Sequence, residues 1–157
     1  MQPPERGRSA EAHGKELHVV LVEDNEHDAF LVRTVLQDAG INHTLQVIED
    51  GKAAIEYVDQ IGTHTPCPDL LLLDINLPRA NGLEVLSHFR NHHNCEHIPV
   101  IVFSSSVAPK EQARLAELHV SRFFQKPADY DKFAQLGIIV REVTGKEEQR
   151  TPQKHEA

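Results

Sequence analysis
Glu23 and Asp24, Asp74 and Ser104 each stand immediately after an apolar run, and Lys126 stands at the end of a further candidate strand, so that four separate places in a chain of 157 residues end alike. Such runs read as strands buried on both faces, and in an open α/β sheet the chemistry lies just beyond the strands' carboxyl ends. The residues would therefore gather at one rim. Three carboxylates against one ammonium leave that rim negative, a repulsion that each buried acid would otherwise relieve by taking up a proton. A divalent cation relieves it instead. The donors are few and are hard oxygens, which suits Mg²⁺ retaining several waters, with Mn²⁺ as a substitute, and does not suit zinc or copper. A carboxylate beside such an ion and a fixed lysine can attack a phosphoryl group, because both cations offset charge on nucleophile and phosphoryl oxygens. Asp74, at the end of Leu-Leu-Leu-Leu-Asp-Ile-Asn-Leu-Pro over 70–78, is the expected nucleophile. Ser104 would then hydrogen-bond the new phosphoryl oxygens and Lys126 would pair with them. Taken singly, each residue has a plainer role: an acid complementing a helix N-terminus, a serine cap, a solvated lysine. Convergence at four strand ends argues against those roles jointly.

The elements that must deliver these residues can be read in order. Leu17 to Val22 is a first buried strand. Glu26 to Ala39 places Ala29, Val32, Val35, Leu36 and Ala39 on one helical stripe, stopped by Gly40. Thr44 to Ile48 has the composition of a short strand, Gly51 to Ile61 carries a helical stripe, and Gly62 to Pro68 is a polar loop before the strand at Leu70. The Asn81-Gly82 turn opens a third helix over Leu83 to Phe89. Pro99 to Phe103 is the fourth strand, Pro109 to about Leu118 the fourth helix, Val120 to Phe124 the fifth strand, and Ala128 to Val143 a last helix that Gly137 weakens. This alternation implies right-handed crossovers and a doubly wound, five-stranded parallel sheet flanked by five helices. The domain is expected over 17–144, between flexible tails at 1–16 and 145–157.

A net charge of −8 argues against a nucleic-acid footprint, which needs a clustered basic face. Apolar runs stay well short of the roughly 20 residues of a membrane helix, and the N-terminus has no signal-peptide core, so a cytoplasmic location is expected. Cys67 and Cys95 have no CxxC spacing, and two free thiols are expected rather than a disulfide. His88, His92, His93, Cys95 and His97 have spacings that can bind zinc or nickel, but a polar helix end and loop is the favoured reading.

Val-Glu-Asp at 22–24, Leu-Leu-Asp-Ile-Asn-Leu-Pro at 72–78 with Gly82, Ser104 after its strand, and Phe123 with Lys126-Pro127 resemble the response-regulator receiver family, the chemotaxis-regulator-like phosphoacceptor domains of two-component signalling. The resemblance implies a flavodoxin-like strand order 2-1-3-4-5, Mg²⁺ held by Glu23, Asp24, Asp74 and the backbone carbonyl of Asn76, and phosphorylation of Asp74 by a sensor histidine kinase. It also implies a cis peptide between Lys126 and Pro127. In the switch it implies, Ser104 moves toward the phosphoryl group and Phe123 fills the vacated space, changing the surface of the fourth helix, fifth strand and fifth helix for a downstream protein target. Phe123 stands where tyrosine is commoner and has no hydroxyl to read out. The extended Gly62 to Pro68 loop and the absence of an output domain resemble the small stand-alone regulators paired with phytochrome-type kinases. That narrower resemblance implies a homodimer through the fifth strand and fifth helix, to which Tyr130, Phe133 and Ile139 could contribute unless they are core residues. Two other classes compete: a phosphohydrolase that turns over through an aspartyl phosphate, against which Asn76 stands where an acid/base carboxylate is needed, and a phosphorylation-independent interaction module.

Overall fold
Leucine and valine fill β1 (Leu17–Val22) with side chains that alternate between two cores: Leu17, Val19 and Leu21 face one layer, Val20 and Val22 the other. A strand apolar on both faces can be stable only with helices on each side of the sheet. In the computed structural model, which describes residues 16–145, both layers are present. α1 (Glu26–Asp38) and a C-terminal helix cover one face; α2 (Gly51–Asp59), α3 (Gly82–Arg90) and α4 (Pro109–Glu117) bury residues in the other core. β2 (His43–Ile48), β3 (Leu70–Leu73), β4 (Val100–Ser104) and β5 (Arg122–Gln125) complete a five-stranded sheet in the order β2-β1-β3-β4-β5, every pairing parallel. The expected fold and strand order are those observed. The tails expected at 1–16 and 145–157 fall almost wholly outside the described residues.

The helix boundaries follow local chemistry. Asn25, Asp50 and Asn81 cap α1, α2 and α3, each accepting a hydrogen bond from a backbone N–H of the first turn. The C-terminal helix differs from the continuous Ala128 to Val143 expectation. It is broken at Ala134 into α5 (Tyr130–Phe133) and α6 (Gln135–Thr144). Gly137 is needed in α6 for another reason than helix propensity: a Cβ there would lie 2.9 Å from the Ala39 Cβ, so the glycine lets α6 lie against the end of α1. β5 is less buried than β1, β3 and β4. It is the sheet edge, where only Phe124 is buried and Phe123 is 44% exposed.

Cys67 and Cys95 form a disulfide, contrary to the expected free thiols, with Cα atoms 5.8 Å apart. They stand 28 residues apart in sequence, but one precedes β3 and the other precedes β4. Because those strands are parallel neighbours, their entry loops share one edge of the sheet, within the span a disulfide bridges. The bond pins the 62–68 loop to the 3-10 turn His93–Cys95. The chain-entropy model for a loop of this length gives roughly 3.5 kcal/mol, so reduction is expected to lower the thermal midpoint by on the order of 10 °C while the protein stays folded. Calorimetry with and without a dithiol reductant checks this. An unchanged midpoint after verified reduction would show that the bond adds no stability.

The histidine cluster is structural. His92 Nε2 lies 3.0 Å from the Ile61 carbonyl, its Nδ1 accepts from Asn94 N, and His88 pairs with Asp59 at 2.6 Å. Below it, the Arg90 guanidinium donates to the carbonyls of Ile98 (2.7 Å), His119 (2.9 Å) and Leu118 (3.0 Å), tying the entries of β4 and β5 together.

Candidate functional site
Hydrogen bonds continue the sheet one residue beyond its strands and set the rim in register. Glu23 N donates to Ile48 O, Asp74 N to Val22 O, and Lys126 N to Ser104 O, each at 2.9 to 3.0 Å. Since Val22 pairs with Leu73 and Ser104 with Gln125, the residues that follow β1 and β3 fall side by side, and so do those that follow β4 and β5. Parallel pairing thus converts distant sequence positions into one cluster.

Glu23, Asp74 and Ser104 are buried, whereas Asp24 is exposed. Carboxylate oxygens of Glu23, Asp24 and Asp74 lie within 4.8 Å of one another, and among the described residues this is the group of three acidic, histidine or cysteine side chains with that geometry. Ser104 Oγ donates to Asp74 Oδ1 at 2.9 Å, and Asn76 N donates to the same oxygen at 3.0 Å. Lys126 Nζ lies 3.0 Å from Asp74 Oδ2 and 2.8 Å from Glu23 Oε1. The structure therefore brings Glu23, Asp24, Asp74, Ser104 and Lys126 together as expected from the sequence. Asn76 enters through its backbone N–H and through a side-chain amide that reaches Ser104 Oγ at 3.2 Å and Ser106 O at 3.3 Å.

Burial pushes the Glu23 carboxyl up to about 7, an effect that the Lys126 ammonium only partly offsets. For Lys126, burial acts to lower the pKa, but the close carboxylates of Asp28, Glu23 and Asp74 outweigh it and the ammonium is held charged above the usual lysine range. Glu23 Oε1 is also buried without a hydrogen bond of acceptable angle, although Lys126 Nζ is close. A buried carboxyl whose ionised form is disfavoured, beside two further acids, is a place where a small divalent cation would stabilise the carboxylate. The donor set is oxygen throughout and fits Mg²⁺ or Mn²⁺.

Two participants were missed in the sequence. Asp28, in the first turn of α1, pairs with Lys126 at 2.8 Å, and its place in the sequence reads only as an acid complementing the helix N-terminus. Phe103, fully buried, lies under Lys126 Nζ with its ring centroid 4.9 Å away, and nothing in its strand context distinguishes it from a core residue.

One expected feature is absent: the described residues contain no cis peptide bond, so Lys126–Pro127 is trans. The trans form is the one an X–Pro bond ordinarily favours, and it is compatible with Lys126 meeting its three carboxylates. The suggested dimer surface also changes. Phe133 is 1% exposed and packs edge-on against Phe103 and Phe124, and Ile139 packs against the core; Tyr130 and Ile138 are the exposed apolar residues there, at 39% and 55%.

A family model described as the response regulator receiver domain matches residues 19–136. Response regulator Rcp1 of Synechocystis sp. is 37% identical over 110 residues, 69% of this chain and 75% of that protein. Among solved structures, the phosphorylated cyanobacterial phytochrome response regulator RcpA superposes with a TM-score of 0.72 at 32% identity, covering 81% of this chain and 92% of RcpA. The Mn²⁺-bound form of response regulator Rcp1 gives 0.71 at 32% identity, covering 80% and 91%.

Proposed function
Since the chain belongs to the response regulator receiver domain family, we propose that Asp74 is its phosphoacceptor, with a phosphohistidine of a sensor histidine kinase as the donor. The observation that carries this reading is the convergence on one buried carboxylate of the Ser104 hydroxyl, the Lys126 ammonium and two further acids. In the transfer, a carboxylate oxygen of Asp74 bonds to phosphorus as the donor's P–N bond breaks, and the released imidazole takes up a proton. Lys126 and Ser104 are placed to follow the incoming phosphoryl oxygens, because both already hydrogen-bond the carboxylate that receives them. Glu23, Asp24 and Asp74, with the Asn76 backbone carbonyl by family resemblance, would hold Mg²⁺ or Mn²⁺, which neutralises phosphoryl charge and orients it.

Output follows from Ser104 and Phe123. A hydroxyl drawn further toward the phosphoryl group would vacate space at the end of β4, and Phe123, on the neighbouring edge strand and half exposed, would fill it, as the family resemblance implies. The face of α4, β5 and α6 then exists in two states whose ratio phosphorylation shifts, limited by the difference in contact energy between them. A downstream protein, or a second copy of the chain, would read that face through Phe123, Tyr130 and Ile138. Similarity to Rcp1 and RcpA favours a phytochrome-type kinase as the upstream partner. No helix among the described residues is long and apolar enough to cross a membrane.

Incubation with Mg²⁺ and acetyl phosphate, followed by intact-mass spectrometry, tests the reading. One phosphoryl group per chain is expected. Sustained hydrolysis of a phosphomonoester would favour a phosphohydrolase instead, although Asn76 supplies an amide, already bonded to Ser104 and Ser106, where that chemistry needs a titrating carboxyl.

A further inference from the structure
An ammonium group has three N–H donors, and Lys126 directs its ammonium at three carboxylates: Glu23, Asp28 and Asp74. The three partners are not equivalent. Glu23 and Asp74 belong to the carboxylate group suited to a divalent cation, and Asp74 is also the proposed phosphoacceptor, so both exchange partners during the reaction. Asp28 lies outside that group, on α1, and its own backbone N–H is fixed by the Asn25 cap. It is partly buried, at 2.8 Å from Nζ, as close as either of the others. The ammonium itself lies over the Phe103 ring, 4.9 Å from its centroid, a contact that attracts the charge but supplies no directional hydrogen bond.

We infer that Asp28 is a positioning residue for phosphoryl transfer, the fixed anchor that keeps the Lys126 ammonium aimed at the acceptor while its other two partners turn to the cation and the phosphoryl group. The inference rests on the phosphoacceptor reading of Asp74. Before transfer, Asp28 holds the ammonium in place as Glu23 becomes a cation ligand. After transfer, one donor passes from Asp74 to a phosphoryl oxygen, and the bond to Asp28 restricts the remaining rotation of the head group. Without that anchor, every partner left to Lys126 is shared with cation or phosphoryl group, and the ammonium samples orientations in which it does not meet the reacting oxygens.

Asp28→Asn preserves shape and the helix start while removing the carboxylate. With Mg²⁺ and acetyl phosphate, the phosphorylation rate at saturating donor is expected to fall by about tenfold or more, with little change in the half-saturating donor concentration, as loss of positioning predicts. A second readout does not depend on activity. In Mg²⁺-loaded protein labelled with ¹³C-lysine, the two Lys126 Hε protons should be inequivalent in the wild type, collapse to one resonance in Asp28→Asn, and separate again in Asp28→Glu. Asp28→Ser serves if Asp28→Asn does not fold. If Asp28 only complements the N-terminus of α1, the thermal midpoint falls while the rate and the Lys126 resonances remain within twofold and unchanged; that result overturns the inference. Failure of the phosphoacceptor reading would appear instead in the wild type, as no phosphoryl uptake, and the lysine resonances would still decide the part played by Asp28.

Discussion

Asp74→Asn is expected to abolish phosphoryl uptake, by a factor of at least about 10³, while leaving the unfolding midpoint within a few degrees of the wild type. The two halves of this expectation come from the same contacts. An amide is a far weaker nucleophile than a carboxylate, so no acceptor remains. Its carbonyl oxygen can still accept from Ser104 Oγ and Asn76 N, which meet Asp74 Oδ1 at 2.9 and 3.0 Å. Its NH₂ group would face the Lys126 ammonium now 3.0 Å from Oδ2, at a cost of about 1 to 3 kcal/mol for the lost charged hydrogen bond. Against that, one of the three acids that meet Lys126 loses its charge, which relieves repulsion of comparable size. Mass spectrometry of acetyl phosphate reactions, paired with calorimetry, reads both. Uptake by the variant at the wild-type rate would remove Asp74 as the acceptor.

The second large effect is the pH dependence of cation binding. Glu23 has an ordinary pKa of 4.5, which applies to the unfolded chain, and about 7 when buried in the cation-free protein. Between those values the folded protein retains a proton that the unfolded chain has released. Without cation, stability therefore falls as pH rises from 4.5 through 7, and levels off above 7. A cation needs the carboxylate form, so apparent Mg²⁺ affinity is expected to rise about tenfold per pH unit below 7 and to flatten above it. Isothermal titration with Mg²⁺ at four pH values between 5.5 and 8.5 measures the profile. Glu23→Gln should weaken binding at least about tenfold and flatten the slope in the acid limb. An affinity that does not vary across this range in the wild type would exclude Glu23 as the proton-coupled ligand.

Much of the sheet was legible because runs such as Leu70 to Leu73 and Val100 to Phe103 are too uniformly apolar for any element not covered on both faces. Parallel pairing then made the rim legible too, since the residue after each strand has only one edge to occupy. What stayed hidden depends on three-dimensional neighbours that leave no periodic trace. Nothing in the pattern around Asp28 distinguishes a first-turn acid that complements a helix from one that reaches across the rim to a lysine 98 residues away. The disulfide depended on which strands are neighbours rather than on cysteine spacing. Gly137 reads as a weak point in a helix until Ala39 is seen against it. Val120 to Phe124 reads as a strand, but its composition does not tell which of its residues face solvent at the sheet edge.

The Cys67–Cys95 bond and the Arg90 guanidinium both act at the edge where the strands enter the sheet, opposite the rim of acids. Durability and responsiveness are thereby assigned to different ends of the same strands. Changes at one end should combine additively with changes at the other, since distant sites without shared partners seldom couple. The receiver can thus acquire stabilising substitutions at the entry edge without retuning the equilibrium at its acceptor.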